Sequence, residues 1–419
     1  MTRWLYTLAI HLLLPWAVLH LVWRARRQPE YLRHWGERFG LFRAVPPAPT
    51  LPTIWLHAVS VGETRAAQPL VAALRQRYPG YRILLTHMTP TGRATSEALF
   101  GDTVERVYLP YDLPWAVRRF LAHFRPALGI VMETELWPNL VAACQESGIP
   151  LLLVNARLSE KSARRYARWP RLTRQTLVGL AAIAAQSEAD AWRLRGLGAS
   201  QVEVLGNLKF DVAPPAGLPD FRTLIGERPV FLCASTRAGE EALILDAWLK
   251  VGAGGTALLL IVPRHPERFD EVARLVESRG LKLQRRSEEA PVAPDTQVWL
   301  GDSLGELFAY YAVADVAFVG GSLLDYGCQN LIEPCALGVP VLIGPSTFNF
   351  AAAAREALRT GAARQVKNAS ELVAAARALL FDEPARRAMG EAGQRFAAQH
   401  RGATEKTLAL IARHMPVPS

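Results

Sequence analysis

Short apolar runs recur along this chain, each closing in a polar or glycine-bearing loop, with helical periodicity between one run and the next. The first set covers residues 53–58, 82–87, 104–109, 128–132, 151–155, 181–185 and 201–205, and the helical patterns among them include 66–77, 113–124, 140–146 and 188–197. Strands that alternate with helices pair in parallel, because every return to the sheet needs a crossover; helices then cover both faces. Val212-Ala213-Pro214-Pro215-Ala216-Gly217-Leu218-Pro219 breaks the pattern, and proline and glycine at that density mark a linker. The alternation then restarts with 230–234, 257–262, 281–284, 297–300, 316–319 and 339–343. A length of 419 residues exceeds what one core ordinarily holds. The expectation is an α/β protein of two Rossmann-like domains with a cleft between them, a usual place for a small ligand.

Ahead of this pattern, Trp4 to Trp23 form a nearly continuous apolar run with aromatics at both ends. About 20 such residues suffice to cross a bilayer core as a helix. Arg24, Arg26, Arg27 and Arg33 follow it and only Arg3 precedes it, which puts the bulk of the chain on the cytoplasmic side of the membrane. Arg3, Thr7, His11 and Pro15 form a weakly polar stripe, so a helix lying in the interface fits as well as one that spans. A second proline-rich stretch, residues 44–49, separates this end from the first strand. The expected division is an anchor at 1–27, Rossmann-like domains at 28–212 and 213–390, and a helical segment at 391–419 packing across them.

Hydrophobic residues make up 50% of the chain and charged ones 21%, the balance of a folded globular protein. The net charge of +10 favours anionic partners: phosphorylated substrates or acidic head groups. Its basic residues form no single tract and no zinc-finger or RNA-binding signature accompanies them, so nucleic acid is not expected. Cys144, Cys233, Cys328 and Cys335 contain no CxxC pair and lie mostly in apolar segments, as reduced buried thiols do. No metal-ligand cluster is evident.

In the first half, Ser60-Val61-Gly62-Glu63 ends the strand 53–58 and opens a helix, so Glu63 stands at the sheet edge where such folds bind ligands. Its carboxylate suits a general base. The same Ser60-x-x-Glu63 spacing is a capping box, in which Glu63 only satisfies a backbone N–H. Thr91-Gly92 turns after 82–87, and Glu133-Thr134-Glu135 follows 128–132. Two carboxylates at a strand end suit an acid/base pair, or one ligand group and one helix-start partner. Lys209, just before the linker, can reach a carboxylate or phosphate.

In the second half, Ser235-Thr236, Arg264-His265, Leu304-Gly305-Glu306 and Gly320-Gly321-Ser322 each follow a strand. Arg264 carries a donor fork suited to phosphate. A helix starting near Gln329 would aim free N–H groups at an anion, and Glu333 could accept from a ribose diol. The chain has no GxGxxG and no GxxxxGK[ST], which argues against a nicotinamide dinucleotide and excludes a P-loop NTPase.

Together, His57–Glu63, Thr89–Gly92, Met132–Asn139, Gly206–Asp211, Pro263–Phe269, Gln329–Pro334 and Gly344–Phe350, with the apolar N-terminus, closely resemble the lipid A Kdo (3-deoxy-D-manno-octulosonic acid) transferases, glycosyltransferases of the GT-B fold. Ser346 stands where many members have histidine. The resemblance implies a metal-independent inverting transfer of Kdo from CMP-Kdo to a lipid A precursor, lipid IVA, at the cytoplasmic side of the inner membrane, in lipopolysaccharide core synthesis. It implies Glu63 as catalytic base, with Glu133 and Lys209 supporting the transition state. It also implies an acceptor-binding first domain, and a second domain binding CMP through Arg264, His265, Leu304, Gly305, Glu306, Asn330, Leu331, Ile332 and Glu333. Ser60, Gly62, Thr91, Gly92, Glu135, Ser235, Thr236, Gly321, Ser322 and Gln329 complete the candidate set. No cofactor beyond the donor substrate is expected. The alternative is a GT-B transferase using another nucleotide sugar on a membrane lipid; a non-enzymatic two-lobed binding protein is opposed by the arginines after Trp23.

Overall fold

The computed structural model describes residues 1–26, 28–42, 51–211, 217–252 and 256–416. The expected linker 44–49 lies outside the described residues, as do 212–216 of the second linker. The chain divides into two compact units, Met1–Val212 with Arg401–Ser419, and Ala213–His400.

The first unit holds seven strands: β1 (Thr53–His57), β2 (Arg82–His87), β3 (Glu105–Tyr108), β4 (Pro126–Met132), β5 (Leu151–Ala156), β6 (Ala182–Ala185) and β7 (Val202–Val204). They run parallel in the order β3-β2-β1-β4-β5-β6-β7. Every residue of β1 is buried, as a parallel strand covered on both faces requires. Trp55 packs with Leu84 and Phe120 on one face, and Ile54 and Leu56 with Leu70 and Ile411 on the other. The helices that matter below are α1 (Arg3–Ala25), α2 (Val61–Arg77), α3 (Pro90–Phe100), α4 (Pro114–Phe124) and α5 (Pro138–Glu146).

The second unit repeats the architecture with β8 (Val230–Thr236), β9 (Leu258–Pro263), β10 (Leu283–Arg285), β11 (Val298–Leu300), β12 (Val316–Val319), β13 (Val341–Ile343) and β14 (Ala363–Gln365). Its order is β10-β11-β9-β8-β12-β13-β14, again parallel. β14 was not expected: of its three residues only Ala363 is buried, too little for an apolar run. The four cysteines are free and buried.

The C-terminal boundary differs from the expected 391–419. Helix Glu383–Gln399 belongs to the second unit, and the chain rejoins the first at Arg401. There Asp211 accepts the N–H groups of Gly402 (2.7 Å) and Thr404 (2.5 Å), and Ala403, Leu410 and Ile411 enter the core behind α2.

Candidate active site

In the first sheet the order of strands reverses between β1 and β4, and the crevice beyond their carboxyl ends is where open α/β sheets bind ligands. Glu63 follows one of these strands and Glu133 the other. Ser60 caps α2, its Oγ accepting the Glu63 N–H at 3.5 Å, while Glu63 Oε2 accepts the Val59 N–H at 2.6 Å. The Ser60 half of the expected capping box is formed, and the Glu63 half is displaced by one residue, onto the N–H before the N-cap. The second oxygen, Oε1, lies 3.4 Å from Ser60 Oγ. Thr89 braces this turn by donating to the Val59 carbonyl at 3.1 Å. Gly92 permits the close approach, since a Cβ there would sit 3.0 Å from the same carbonyl. Thr91 is exposed beside it. Gly62 is exposed in the first turn of α2, next to Glu63.

Glu133 occupies the left-handed region at φ 58°, an uncommon conformation for a residue with a side chain. Its N–H donates to the Val154 carbonyl at 3.0 Å, and Lys209 Nζ donates to its Oε1 at 2.8 Å. Lys209 comes from a 3-10 turn, Leu208–Asp211, fixed by Leu208 N–H donating to Asn155 Oδ1 (3.1 Å). Asn155, at φ 53° near the end of β5, thus positions Lys209; in the sequence it reads only as the last residue of a strand. Glu135 accepts from Trp137 Nε1 at 2.7 Å.

These groups set the electrostatics. Burial, reinforced by the neighbouring charge of Glu133, lifts Glu63 to about 8; the Val59 N–H and Lys209 pull the other way. Burial also raises Glu135. Two histidines lie behind the turn: His87 Nδ1 meets the Ala58 carbonyl at 2.8 Å, and His57 Nδ1 the Thr86 hydroxyl at 2.8 Å. Burial takes His57 down to about 3 and His87 to about 4, so both are neutral. A cavity of about 540 Å³ lined by Arg75, Arg82, Asp102 and Glu105 sits at the starting ends of β2 and β3, on the opposite edge from this site.

In the second unit the corresponding reversal falls between β8 and β12. The N–H groups of the loop after β12, which holds the candidate residues Gly321 and Ser322, are taken by a side chain of the protein itself: the Glu240 carboxylate accepts from Gly321 (2.7 Å), Leu323 (2.9 Å) and Arg237 (2.8 Å). Ser322 is fully buried, donating to Val319 and accepting from Gly344. Thr236 is likewise buried on Glu241, which pairs with Arg268 at 2.6 Å, and Ser235 holds a φ of 55° beside it. These residues shape the loops. The candidate residues with exposed atoms are their neighbours.

Among those, Arg264 and His265 follow β9 and are half-exposed; the Arg264 N–H is fixed on the Thr236 carbonyl at 3.0 Å. His265 lies below its ordinary pKa through burial and then the Arg237 charge. After β11, Leu304 is 73% exposed, Gly305 has a φ of 85°, and Glu306 pairs with Arg286 at 3.1 Å. The helix expected near Gln329 begins at Ile332 and spans only Ile332–Ala336. It starts late because Asn330 takes up the turn, accepting the Ile332 N–H and donating to Glu333 Oε1, both at 3.0 Å. The side chains of Leu331 and Ile332 are buried, leaving only their backbone for a ligand. Gln329 is half-exposed, its N–H on the Gly320 carbonyl. Among the described residues no group of three or more His, Cys, Asp and Glu is placed to hold a metal ion.

Two Rossmann sheets of this order, each with polar loops at the switch point, define the GT-B class of folds. Solved structures agree: UDP-GlcNAc 2-epimerase from Neisseria meningitidis superposes with a TM-score of 0.60 at 16% identity, over 86% of this chain and 100% of that one. A glycosyltransferase from Rickettsia africae gives 0.59 at 13% identity, over 88% of this chain and 100% of that one. Residues 33–212 match the family model described as 3-deoxy-D-manno-octulosonic-acid transferase, and residues 277–396 that of glycosyl transferases group 1. The 3-deoxy-D-manno-octulosonic acid transferase of Bordetella pertussis is 46% identical, over 97% of this chain and 98% of its own length. That of Haemophilus influenzae is 38% identical, over 98% of both. The chain belongs to the 3-deoxy-D-manno-octulosonic acid transferases, a family of glycosyltransferases.

Proposed function

We propose that this enzyme moves Kdo from CMP-Kdo onto a hydroxyl of a lipid A precursor, lipid IVA, with inversion, in lipopolysaccharide core synthesis at the cytoplasmic face of the inner membrane. The observation that carries the chemistry is the gathering of Glu63, Glu133 and Lys209 at the switch point of the first sheet, with Glu63 lifted to about 8. A carboxylate of that basicity takes a proton from an alcohol in the transition state far better than an ordinary one. One oxygen stays on the Val59 N–H and holds the group still; the other, Oε1, receives the proton. The acceptor oxygen then forms its bond to the anomeric carbon of Kdo as the bond from that carbon to the phosphate of CMP breaks. CMP leaves with the electron pair.

Lys209, held on Glu133, places a fixed positive charge near the base for the charge that develops. In the second unit Arg264 and His265 serve the phosphate, Leu304 to Glu306 line the approach, and Asn330 to Glu333 serve the nucleoside. Replacing Glu63 by Gln keeps a capping residue at the helix start. Mass spectrometry of tetra-acylated precursor incubated with CMP-Kdo should then show transfer lost at least 1000-fold, with CMP affinity unchanged. Loss of CMP binding together with transfer would leave Glu63 a capping residue only.

A further inference from the structure

Helix α1 is the one helix among the described residues long and apolar enough to cross a membrane. Its 23 residues measure ~35 Å, close to a hydrocarbon thickness of ~30 Å. A transbilayer α1 would therefore put its two ends in opposite head-group layers. Its contacts oppose that. At the amino end Arg3 pairs with Glu146 at 3.2 Å, Tyr6 donates to Asp112 Oδ2 at 2.9 Å, and Thr7 donates to Asn139 Oδ1 at 2.9 Å. At the carboxyl end Leu21 and Ala25 are buried with Tyr31, whose ring carries the Arg24 guanidinium at 4.3 Å.

Both sets of partners belong to one folded unit. Asp112, just before α4, is itself buried, its carboxylate accepting the Asn139 and Leu140 N–H groups at the start of α5 at 3.0 and 2.8 Å. Tyr31 leads into a segment pinned to the same sheet, where Glu37 accepts the Tyr108 N–H at 2.7 Å and pairs with Arg93 at 2.9 Å. Between the ends, half-buried Ile10, Leu14 and Ala17 join half-buried Arg3 and Thr7 to buried Leu21 in one stripe at heptad spacing. Opposite it, Leu5, Leu12 and Leu19 stand 45, 73 and 69% exposed, flanked by exposed Trp4, Trp16 and Trp23.

We propose that α1 lies in the plane of the membrane interface, one edge clasped to the first unit and its Leu/Trp face sunk into the head-group boundary of an anionic leaflet. Tryptophan favours that depth, and the exposed Arg24, Arg26 and Arg33 at its end suit acidic head groups. The clasp at Asp112 and Asn139 adjoins the Glu133–Trp137 loop, so the membrane plane is tied to one wall of the candidate site. This rests on the reading that transfer occurs at a membrane, yet it is tested without substrate. Single cysteines at Leu5, Leu12 and Leu19 in the full chain, whose native cysteines are all buried, would carry nitroxide labels on phosphatidylglycerol-containing vesicles. Accessibility to oxygen against a water-soluble nickel chelate gives their depths. The expected result is three equal depths of about 5–10 Å. Leu12 near mid-plane with the other two ~10 Å shallower, or all three labels in water, would overturn it; neither result would bear on whether Kdo is transferred.

Discussion

In the proposed mechanism the bond that steadies the start of α2 and the charge that receives a proton reside on one carboxyl group, that of Glu63, one on each oxygen. Both readings of Ser60-x-x-Glu63 were open in the sequence, and the structure shows the cap made without removing the group from Glu133 and Lys209. The proposed base draws its support from the pKa that burial and Glu133 raise, which a glutamate on a solvated helix end would not have. It also dictates a pH profile. A base raised to about 8 is mostly protonated at pH 7 in the free enzyme, and only the ionised form can act. The rate at low substrate should climb roughly tenfold per pH unit up to about 8 and level off above it. Initial rates of Kdo transfer from pH 6 to 9.5 measure this directly; a flat profile across that range would remove Glu63 as the titrating base.

The turn between β1 and α2 is fixed from behind by His57 and His87, and this element carries its own titration. Each ring gives its Nδ1 to β1–β2 backbone or hydroxyl partners and buries Nε2 without a hydrogen-bond partner among the described residues, so protonation is resisted in the fold. Their folded values, about 3 and about 4, lie below the ~6.5 of an unfolded histidine. The sign follows: the stability they contribute is present above ~6.5 and is lost as pH falls toward those values, because the unfolded chain takes up the protons. Glu63, raised instead, contributes in the opposite sense, so the total curve mixes the two. Comparing the natural chain with His87→Asn, whose amide can replace Nδ1, isolates one ring. The difference between their urea-unfolding free energies should change by ~2 kcal/mol between pH 7 and pH 5, the natural chain losing more. The β strands themselves were legible because buried parallel strands read as unbroken apolar runs; β14 was not, since Ala363-Arg364-Gln365 buries one methyl group. What fills the glycine loop after β12 was not legible for a different reason: it is Glu240, 81 residues before Gly321, and nothing local announces that pairing.

At the scale of the molecule, the two alternations and the break between them were visible in the sequence pattern, whereas the return of the C-terminus to the first unit was not. Three alanine-rich helices, Ala369–Phe381, Glu383–Gln399 and Ala403–Ala412, follow one another without a change of composition, and the return is marked by one half-buried carboxylate, Asp211, receiving Gly402 and Thr404. The net charge of +10 is a property of the whole chain as well, and with α1 in the interface it acts on the membrane. Each basic residue near an anionic surface gains about 1 kcal/mol, an attraction that extends only a Debye length, ~10 Å at 0.1 M salt. The apolar face of α1, by contrast, is indifferent to salt. Binding to neutral phosphatidylcholine vesicles should therefore be weak and unaffected by salt, and binding to vesicles with 30% phosphatidylglycerol should be at least tenfold tighter at low salt and fall back toward the neutral value as salt rises from 0.05 to 0.5 M. Co-sedimentation across that series separates the two contributions, and equal affinity for both lipids at low salt would mean that the charge serves the phosphorylated substrates alone.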